Sequence, residues 1–173
     1  KGSIYKTIND GTDWVPLETG INQNLYSVWF IGPNMGFACW QDGTIIKTTS
    51  VDTTWTKLIT GTSEHLYSLF FFNEALGGYA VGDEGKILRI KNGGNQISSV
   101  PSGTNAPLYD IYFPTDSIGF IVGYAGKILK IKRGVGSDSL FTIPSGIQTP
   151  LNKVYFPNPD TGYITGELGV ILK

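Results

Sequence analysis

A near-identical word returns along the chain at a fixed interval, and it constrains the fold more than any other feature. GYAVGDEGKILRI, from Gly78 to Ile90, is followed 41 residues later by GFIVGYAGKILKI, from Gly119 to Ile131. The glycine that opens the GKILRI part recurs at positions 2, 43, 85, 126 and 169, in steps of 41, 42, 41 and 43 residues. Self-similarity at such a period indicates a repeat architecture.

Two further series of words predict the strands of one repeat. LYSVWF-type segments begin at Leu25, Leu66, Leu108 and Leu151, and GYAVG-type segments begin at Gly36, Gly78, Gly119 and Gly162. The first type is apolar at nearly every position, which is typical of a strand covered on both faces. A three-residue step such as DEG, the GKILRI-type strand and a weaker strand such as DWVPLE follow. Each repeat therefore predicts four short antiparallel strands joined by hairpin-sized loops.

Four antiparallel strands in about 42 residues predict an all-β fold, a β-propeller whose blades pack face to face. The coils of a β-helix are shorter, and a β-sandwich does not require the same sequence every 42 residues. No window has a sustained period of 3.6, so we expect helices to be absent or trivial. The glycines around the DEG-type step suit a positive φ or a close approach of two backbones.

The repeat count predicts about four blades, which form a single propeller section over residues 1–173. The strand type at Gly2 returns as a fifth copy at Gly169, which a closed four-bladed ring would not carry. We therefore expect a section of a longer repeat protein, with a small open or oligomer-completed ring as the alternative.

The composition excludes several classes of function. The chain has 23 Gly, 9 Pro, 9 Phe, 9 Tyr and 4 Trp, which suits short strands and tight turns. Its net charge of -1 provides no basic field for nucleic acid. No apolar run approaches the roughly 20 residues needed to span a bilayer. Cys39 is the single cysteine and cannot close an internal disulfide.

The repeat words resemble those of the YCF48-like propellers, which are relatives of the BNR, or Asp-box, repeat proteins. The resemblance covers the whole chain, and AVGDEGKI and IVGYAGKI are its most specific part. The Asp-box turn reads TINDGTDW at Thr7–Trp14 and TTSVDTTW at Thr48–Trp55, and it is eroded at Ile90–Ile97 and Ile131–Leu140. The resemblance implies a ring of seven blades, or six to eight in related proteins, to which these residues would contribute a section.

Enzymatic chemistry has few candidate residues. Sialidases on Asp-box propellers use three arginines, whereas this chain has only Arg89 and Arg133. Four carboxylates, which could hydrolyse a glycoside if two lay 5 to 10 Å apart, share the turn between the second and third strands: Asp42, Asp83, Glu84 and Glu167. Turns select such residues for local hydrogen bonds, so we favour a structural role. His65, the only histidine, and Cys39 are interpreted as loop and core residues, and no metal site is expected.

The candidate binding surface is the rim of the channel, at the end of the blades that carries this turn. Trp40 replaces the glycine found at 82, 123 and 166, so it is either a recognition residue or a cover for an adjacent blade. Trp14 and Trp55 are predicted to lie in the core between blades. The predicted site comprises Trp40, Gln41, Asp42, Asp83, Glu84, Tyr124 and Glu167.

The function expected from this reading is a non-catalytic scaffold for protein interaction or assembly, without a cofactor. YCF48-like proteins assist photosystem II assembly and use an arginine-rich patch, which two arginines do not supply. The expected partners are proteins of a surface or membrane-associated assembly, with a glycan as a further ligand. The expected location is the cell surface, the extracellular space or a periplasm or lumen. The alternatives are a carbohydrate-active Asp-box propeller with catalytic residues outside this section, and a structural element of a surface assembly.

Overall fold

Four consecutive antiparallel sheets follow a short N-terminal hairpin. The structure is a computed structural model that describes residues 2–50, 54–73 and 75–173. The hairpin pairs β1 (Ile4–Lys6) with β2 (Val15–Leu17). Blade 1 contains β3 (Leu25–Ile31), β4 (Met35–Trp40), β5 (Ile45–Thr48) and β6 (Thr56–Leu58). Blade 2 contains β7 (Leu66–Asn73), β8 (Gly77–Gly82), β9 (Ile87–Lys91) and β10 (Gln96–Ser99).

The two remaining blades repeat this order. Blade 3 contains β11 (Leu108–Tyr112), β12 (Ile118–Gly123), β13 (Ile128–Lys132) and β14 (Ser139–Thr142). Blade 4 contains β15 (Leu151–Asn158), β16 (Thr161–Gly166) and β17 (Ile171–Leu172). In the described ranges no helical element is longer than a three-residue turn, and these turns, each with residues of positive φ, lie at Asp83–Gly85, Asn92–Gly94, Tyr124–Gly126 and Glu167–Gly169. The predicted all-β propeller with four antiparallel blades and trivial helix is confirmed.

The first strand of each blade is the innermost. The inner strands β3, β7, β11 and β15 contact one another in sequence, as strands around a shared axis do. Apolar side chains fill each gap between blades. Between blades 2 and 3, for example, Phe70, Tyr79 and Phe113 pack together, with 5.0 Å between the ring centroids of Tyr79 and Phe113. Blades 2 and 3 thus bury both faces of their inner strands against neighbouring blades, whereas β3 and β15 keep exposed side chains, and this shared burial explains why the same words recur.

Hydrogen bonds made by the third residue of β3, β7 and β11 join each of these inner strands to the inner strand of the next blade. Ser27 Oγ accepts from the Leu69 amide at 3.2 Å, and Ser68 Oγ donates to Asp110 Oδ1 at 2.7 Å. Asp110 Oδ2 in turn accepts from the Val154 amide at 3.0 Å. Each bond spans one repeat, so these side chains fix the register of one blade against the next.

The two ends of the blades differ in the turns that they carry. The upper face carries the turns between second and third strands and the loops that lead to the next inner strand. The lower face carries the other turns, including that between β13 and β14. There Asp138 accepts hydrogen bonds from Arg89 Nη1 at 2.8 Å and from Tyr79 Oη at 2.9 Å, which ties blade 2 to blade 3.

The tryptophans of the Asp-box words behave differently from each other. Trp55 is partly buried: it contacts Phe30 of its own blade, with 6.2 Å between ring centroids, and packs on the core cluster that blade 1 shares with the N-terminal hairpin. Trp14 is 58% exposed, so its predicted place in the core is wrong. Its Nε1 donates to the Gly11 carbonyl at 3.1 Å, because the indole folds back on its own turn and has no inner strand beside it in the described chain.

The first Asp-box word forms a turn closed by side chains. Thr7 Oγ1 accepts from the Gly11 amide at 3.0 Å, and Asn9 Oδ1 accepts from the Asp13 amide at 3.0 Å. In the second word, Val51, Asp52 and Thr53 lie outside the described residues. The relation to Asp-box repeats stays a prediction. Within the described ranges, no helix has the length and apolar character needed to cross a membrane.

Candidate functional site

The upper turn has the same strained geometry in all four blades. Its last two residues both have positive φ, for example 52° at Glu84 and 64° at Gly85. The Lys86 amide donates to the Asp83 carbonyl at 2.9 Å, so the turn is of type I′. A residue other than glycine takes the left-handed conformation each time, at Asp42, Glu84, Ala125 and Leu168. Backbone of this kind costs of order 1 kcal/mol per residue and is enriched at functional sites.

The glycine before the turn allows two backbones to touch. A Cβ built on Gly82 would collide with the His65 carbonyl oxygen, and Gly123 stands in the same relation to Pro107. The next amide uses that carbonyl: Asp83 N donates to His65 O at 2.9 Å, and Tyr124 N to Pro107 O at 2.9 Å. The close approach predicted for these glycines is therefore confirmed, and in blades 2, 3 and 4 it anchors the upper turn to the loop that precedes the blade.

Trp40 occupies the equivalent position in blade 1. The prediction that it is a recognition residue on the surface is wrong. Its side chain is 1% exposed and packs with Ile4, Ala38 and Ile46. Its Nε1 donates to Gln23 Oε1 at 2.7 Å. No bond from the Gln41 amide to the preceding loop, equivalent to that of Asp83, is present among the described residues. The indole thus covers the junction with the N-terminal hairpin, which is the alternative considered above.

The other predicted rim residues lie on the upper face. Glu84 and Glu167 are exposed, Tyr124 is 52% exposed and Gln41 is partly buried. Asp42 accepts from Gln23 Nε2 at 3.0 Å, and Asp83 accepts from Tyr67 Oη at 2.9 Å. These two carboxylates are thus held by neighbouring side chains, whereas Glu84 and Glu167 extend to solvent.

A row of tyrosines beside these turns was missed by the sequence reading. Tyr26, Tyr67 and Tyr109 are the second residues of three consecutive inner strands. Their ring centroids are 5.3 Å apart from Tyr26 to Tyr67 and 5.7 Å apart from Tyr67 to Tyr109. Blade 4 has Asn152 at this position. The tyrosine is the second letter of LYSVWF, LYSLFF and LYDIYF, where it is indistinguishable from the other residues of an apolar strand.

A β-bulge in each inner strand produces this row. Leu66 pairs with Gly82 and Ser68 with Val81, so Tyr67 is an extra residue with no partner on β8. The same register shift occurs at Tyr26, Tyr109 and Asn152. A bulge redirects the side chain of the extra residue. Here it places the tyrosines at the upper ends of the inner strands instead of between the blades.

Carboxylates of blades 2 and 4 affect the pKa values of two of these tyrosines, Tyr67 and Tyr109. Burial raises the pKa of Tyr67, and the hydrogen bond to Asp83 adds to the rise. Burial also raises the pKa of Tyr109, with further contributions from the negative charges of Asp83 and Glu167. Both hydroxyl groups therefore remain protonated near neutral pH. The negative charges of Asp83 in blade 2 and Glu167 in blade 4 both act on Tyr109, which lies in blade 3.

The remaining candidates have structural partners. Cys39 is fully buried, its Sγ donates to the Leu66 carbonyl at 3.3 Å, and burial raises the pKa of its thiol. His65 Nδ1 accepts from the Asp42 amide at 3.2 Å, as expected of a loop histidine. No group of three or more histidine, cysteine or acidic side chains able to hold a metal ion occurs in the part of the chain that the structure describes.

Solved structures share this architecture. YCF48 from Cyanidioschyzon merolae matches with a TM-score of 0.76 and 18% identity, over 98% of this chain and 62% of that chain. YCF48 bound to D1 peptide matches with a TM-score of 0.71 and 20% identity, over 98% of this chain and 56% of that chain. The WD40 β-propeller domain of Doa1 matches with a TM-score of 0.54 and 14% identity, over 87% of this chain and 64% of that chain. No protein-family model matches the sequence, and no curated protein does.

These likenesses establish the fold. The chain has a β-propeller fold, with antiparallel blades in sequential strand order. Its fold is that of a YCF48-like propeller, and it spans about three fifths of the length of the YCF48 structures that it matches.

Proposed function

We propose that the chain belongs to a non-catalytic propeller scaffold that holds a partner protein on its upper face. The observation that carries the proposal is the row of tyrosines, which the same bulge directs toward the upper turns in three consecutive blades. Tyrosine supplies apolar contact area with a polar end, and it is enriched where proteins bind one another. The binding surface comprises this row with Gln41, Asp42, Asp83, Glu84, Tyr124 and Glu167.

The comparison with solved structures supports a protein partner. YCF48 has been solved with a D1 peptide bound, so a propeller of this fold can hold a peptide. We extend that capacity to this chain as an interaction scaffold within a larger assembly. The arginine-rich patch that the resemblance implied is absent here, because the chain has only Arg89 and Arg133. Arg89 is also buried against Asp138, at 2.8 Å.

The absence of catalysis is part of the proposal. Asp42 and Asp83 are engaged by Gln23 and Tyr67, as expected of carboxylates that hold loops in place. The test is incubation of the full chain with a panel of glycans, with no release of reducing sugar expected. Release that is lost in Glu84→Gln or Glu167→Gln would contradict the proposal and favour a carbohydrate-active propeller.

The location outside the cytoplasm is proposed from composition and resemblance alone. Fractionation of the native cells, with an antibody against the chain, tests it. Recovery in the secreted, surface or periplasmic fraction is expected, and recovery with cytoplasmic markers would overturn this part of the proposal.

Site-specific photocrosslinking tests the binding face. A photoreactive phenylalanine replaces Tyr124, which is 52% exposed on the upper face, or Val135, which is 99% exposed on the lower face. In native extract, an adduct with one partner protein is expected from position 124 and not from position 135. Adducts from position 135 alone, or the same adducts from both positions, would contradict the proposal.

A further inference from the structure

The upper face combines aromatic rings with negative charge. The centroid separations of 5.3 and 5.7 Å carry the tyrosine row across three inner strands. Together they match about three residues of an extended peptide, at ~3.3 Å per residue. The Tyr67 hydroxyl donates a hydrogen bond to Asp83. The Tyr26 side chain is 42% exposed. A chain lying along this row would meet the tyrosine rings and the carboxylates of the upper turns.

We propose that the tyrosine row and the carboxylates of the upper turns bind an extended segment of a partner protein that is rich in lysine or arginine. The inference rests on the proposed function, since it names the chemistry of the segment that the same face holds. Cations bind over tyrosine rings, and guanidinium and ammonium groups pair with carboxylates. The tyrosine row and the carboxylates beside it offer both kinds of contact to one extended segment.

The distribution of charge favours a basic segment. The four upper turns carry only acidic charged residues, which are Asp42, Asp83, Glu84 and Glu167. Lys86 and Lys127 follow two of these turns and reduce the excess without reversing it. On the lower face near blades 2 and 3, Lys91, Lys132 and Arg133 end or follow the third strands, beside the exposed Asp116. A basic segment would therefore be attracted to the upper face, and an acidic segment would be repelled from it.

A saccharide or an acidic peptide fits the same surface less well. A neutral sugar would stack on tyrosine but leave Glu84 and Glu167 without a partner. The rings in the row are also tilted by 58° and 65° to each other, so they do not form one flat platform. An acidic segment would meet carboxylates from blades 1, 2 and 4. A lysine- or arginine-containing segment uses both features.

Fluorescence anisotropy with the full chain tests this inference. The probes are labelled 12-residue peptides with Lys or Arg at alternate positions, and counterparts of equal length with Gln or Glu at those positions. The basic peptides should bind at least about tenfold more tightly than the acidic ones, and added salt should weaken the binding. A neutral oligosaccharide serves as a competitor and should not displace the peptide.

Matched variants locate the binding. Glu84→Lys/Glu167→Lys reverses two exposed charges on the upper face, and Asp116→Lys/Asp160→Lys makes the same change in charge at exposed lower turns. The upper pair should weaken basic-peptide binding at least about tenfold, and the lower pair less than about twofold. Tyr26→Leu should weaken it about three- to fivefold through loss of the ring face. All variants should keep the wild-type melting temperature within about 2 °C.

Several results of these binding experiments would overturn the inference. Equal weakening by the lower pair would show general charge attraction and overturn the inference. Tighter binding of the neutral or acidic peptide, displacement by the oligosaccharide, or no binding of the basic peptides at millimolar concentration would also overturn it. The photocrosslinking result is independent of these peptides, so the proposed function can survive failure of this inference.

Discussion

Asp138→Asn should destabilise the protein strongly, because Asp138 is the centre of a buried network between blades 2 and 3. Its fully buried side chain faces Arg89, which is 6% exposed. The carboxylate accepts hydrogen bonds from Arg89 at 2.8 Å, Tyr79 at 2.9 Å and the Gly134 amide at 3.1 Å. Removal of one partner from a buried ion pair costs about 3–5 kcal/mol, since the other charge stays buried without compensation.

The expected loss lies near the lower end of that range. Asparagine keeps one carbonyl oxygen that can accept from Arg89 or Gly134, but it cannot balance the guanidinium charge. A loss of about 3 kcal/mol with an m-value of about 2 kcal/mol/M lowers the urea midpoint by about 1.5 M. Urea unfolding followed by both tryptophan fluorescence and far-UV circular dichroism measures it, and coincident transitions validate the two-state treatment.

A matched substitution and a double variant isolate the cause. Asp116→Asn makes the same chemical change at an exposed turn and should alter stability by less than about 0.5 kcal/mol. Arg89→Met/Asp138→Asn removes the buried cation and should be more stable than Asp138→Asn alone. A cost below about 1 kcal/mol for Asp138→Asn would refute the assigned burial of the pair. A double variant less stable than Asp138→Asn would refute the electrostatic explanation.

Two further predictions concern the backbone contacts and the buried acids. Gly82→Ala should cost about 1–3 kcal/mol in urea unfolding, because its Cβ would collide with the His65 carbonyl; an unchanged midpoint would contradict that contact. The pKa values of Cys39, Tyr67 and Tyr79 are raised in the folded protein, so ionisation of these groups favours the unfolded state. The free energy of unfolding should therefore be unchanged by these groups below about pH 9 and should fall as the pH rises further. Urea midpoints measured from pH 7 to 11 check this, and a constant midpoint up to pH 11 would contradict it.

The strands were predictable from the sequence because every blade has apolar residues at the same positions of the repeat. The inner strands begin at Leu25, Leu66, Leu108 and Leu151, where the repeated words begin. Gly82, Gly123 and Gly166 were predictable for the same reason, because a close backbone contact requires glycine at the same place in these three repeats. Periodicity of this kind reports contacts that every repeat makes.

The candidate site was less predictable, because it depends on a departure from the repeat at Trp40 and on a departure from strand alternation at the tyrosines. Trp40 replaces a glycine on the upper face, yet its ring is covered by the N-terminal hairpin, which its own repeat does not reveal. The tyrosine row depends on a bulge, and a bulge breaks the alternation from which side-chain direction is read. The Arg89–Asp138 pair joins residues 49 apart, through a β13–β14 loop that is two residues longer than the equivalent loop of blade 2.

The packing of one blade on the next is tested most directly by a double-mutant cycle on Ser68 and Asp110, which lie one repeat apart on adjacent inner strands. Their oxygens are 2.7 Å apart in a buried contact. Ser68→Ala, Asp110→Asn and the double variant, each measured by urea unfolding, should give a coupling energy of about 1–3 kcal/mol. Additive effects, equal within about 0.3–0.5 kcal/mol, would contradict the stacking of successive blades around a shared axis.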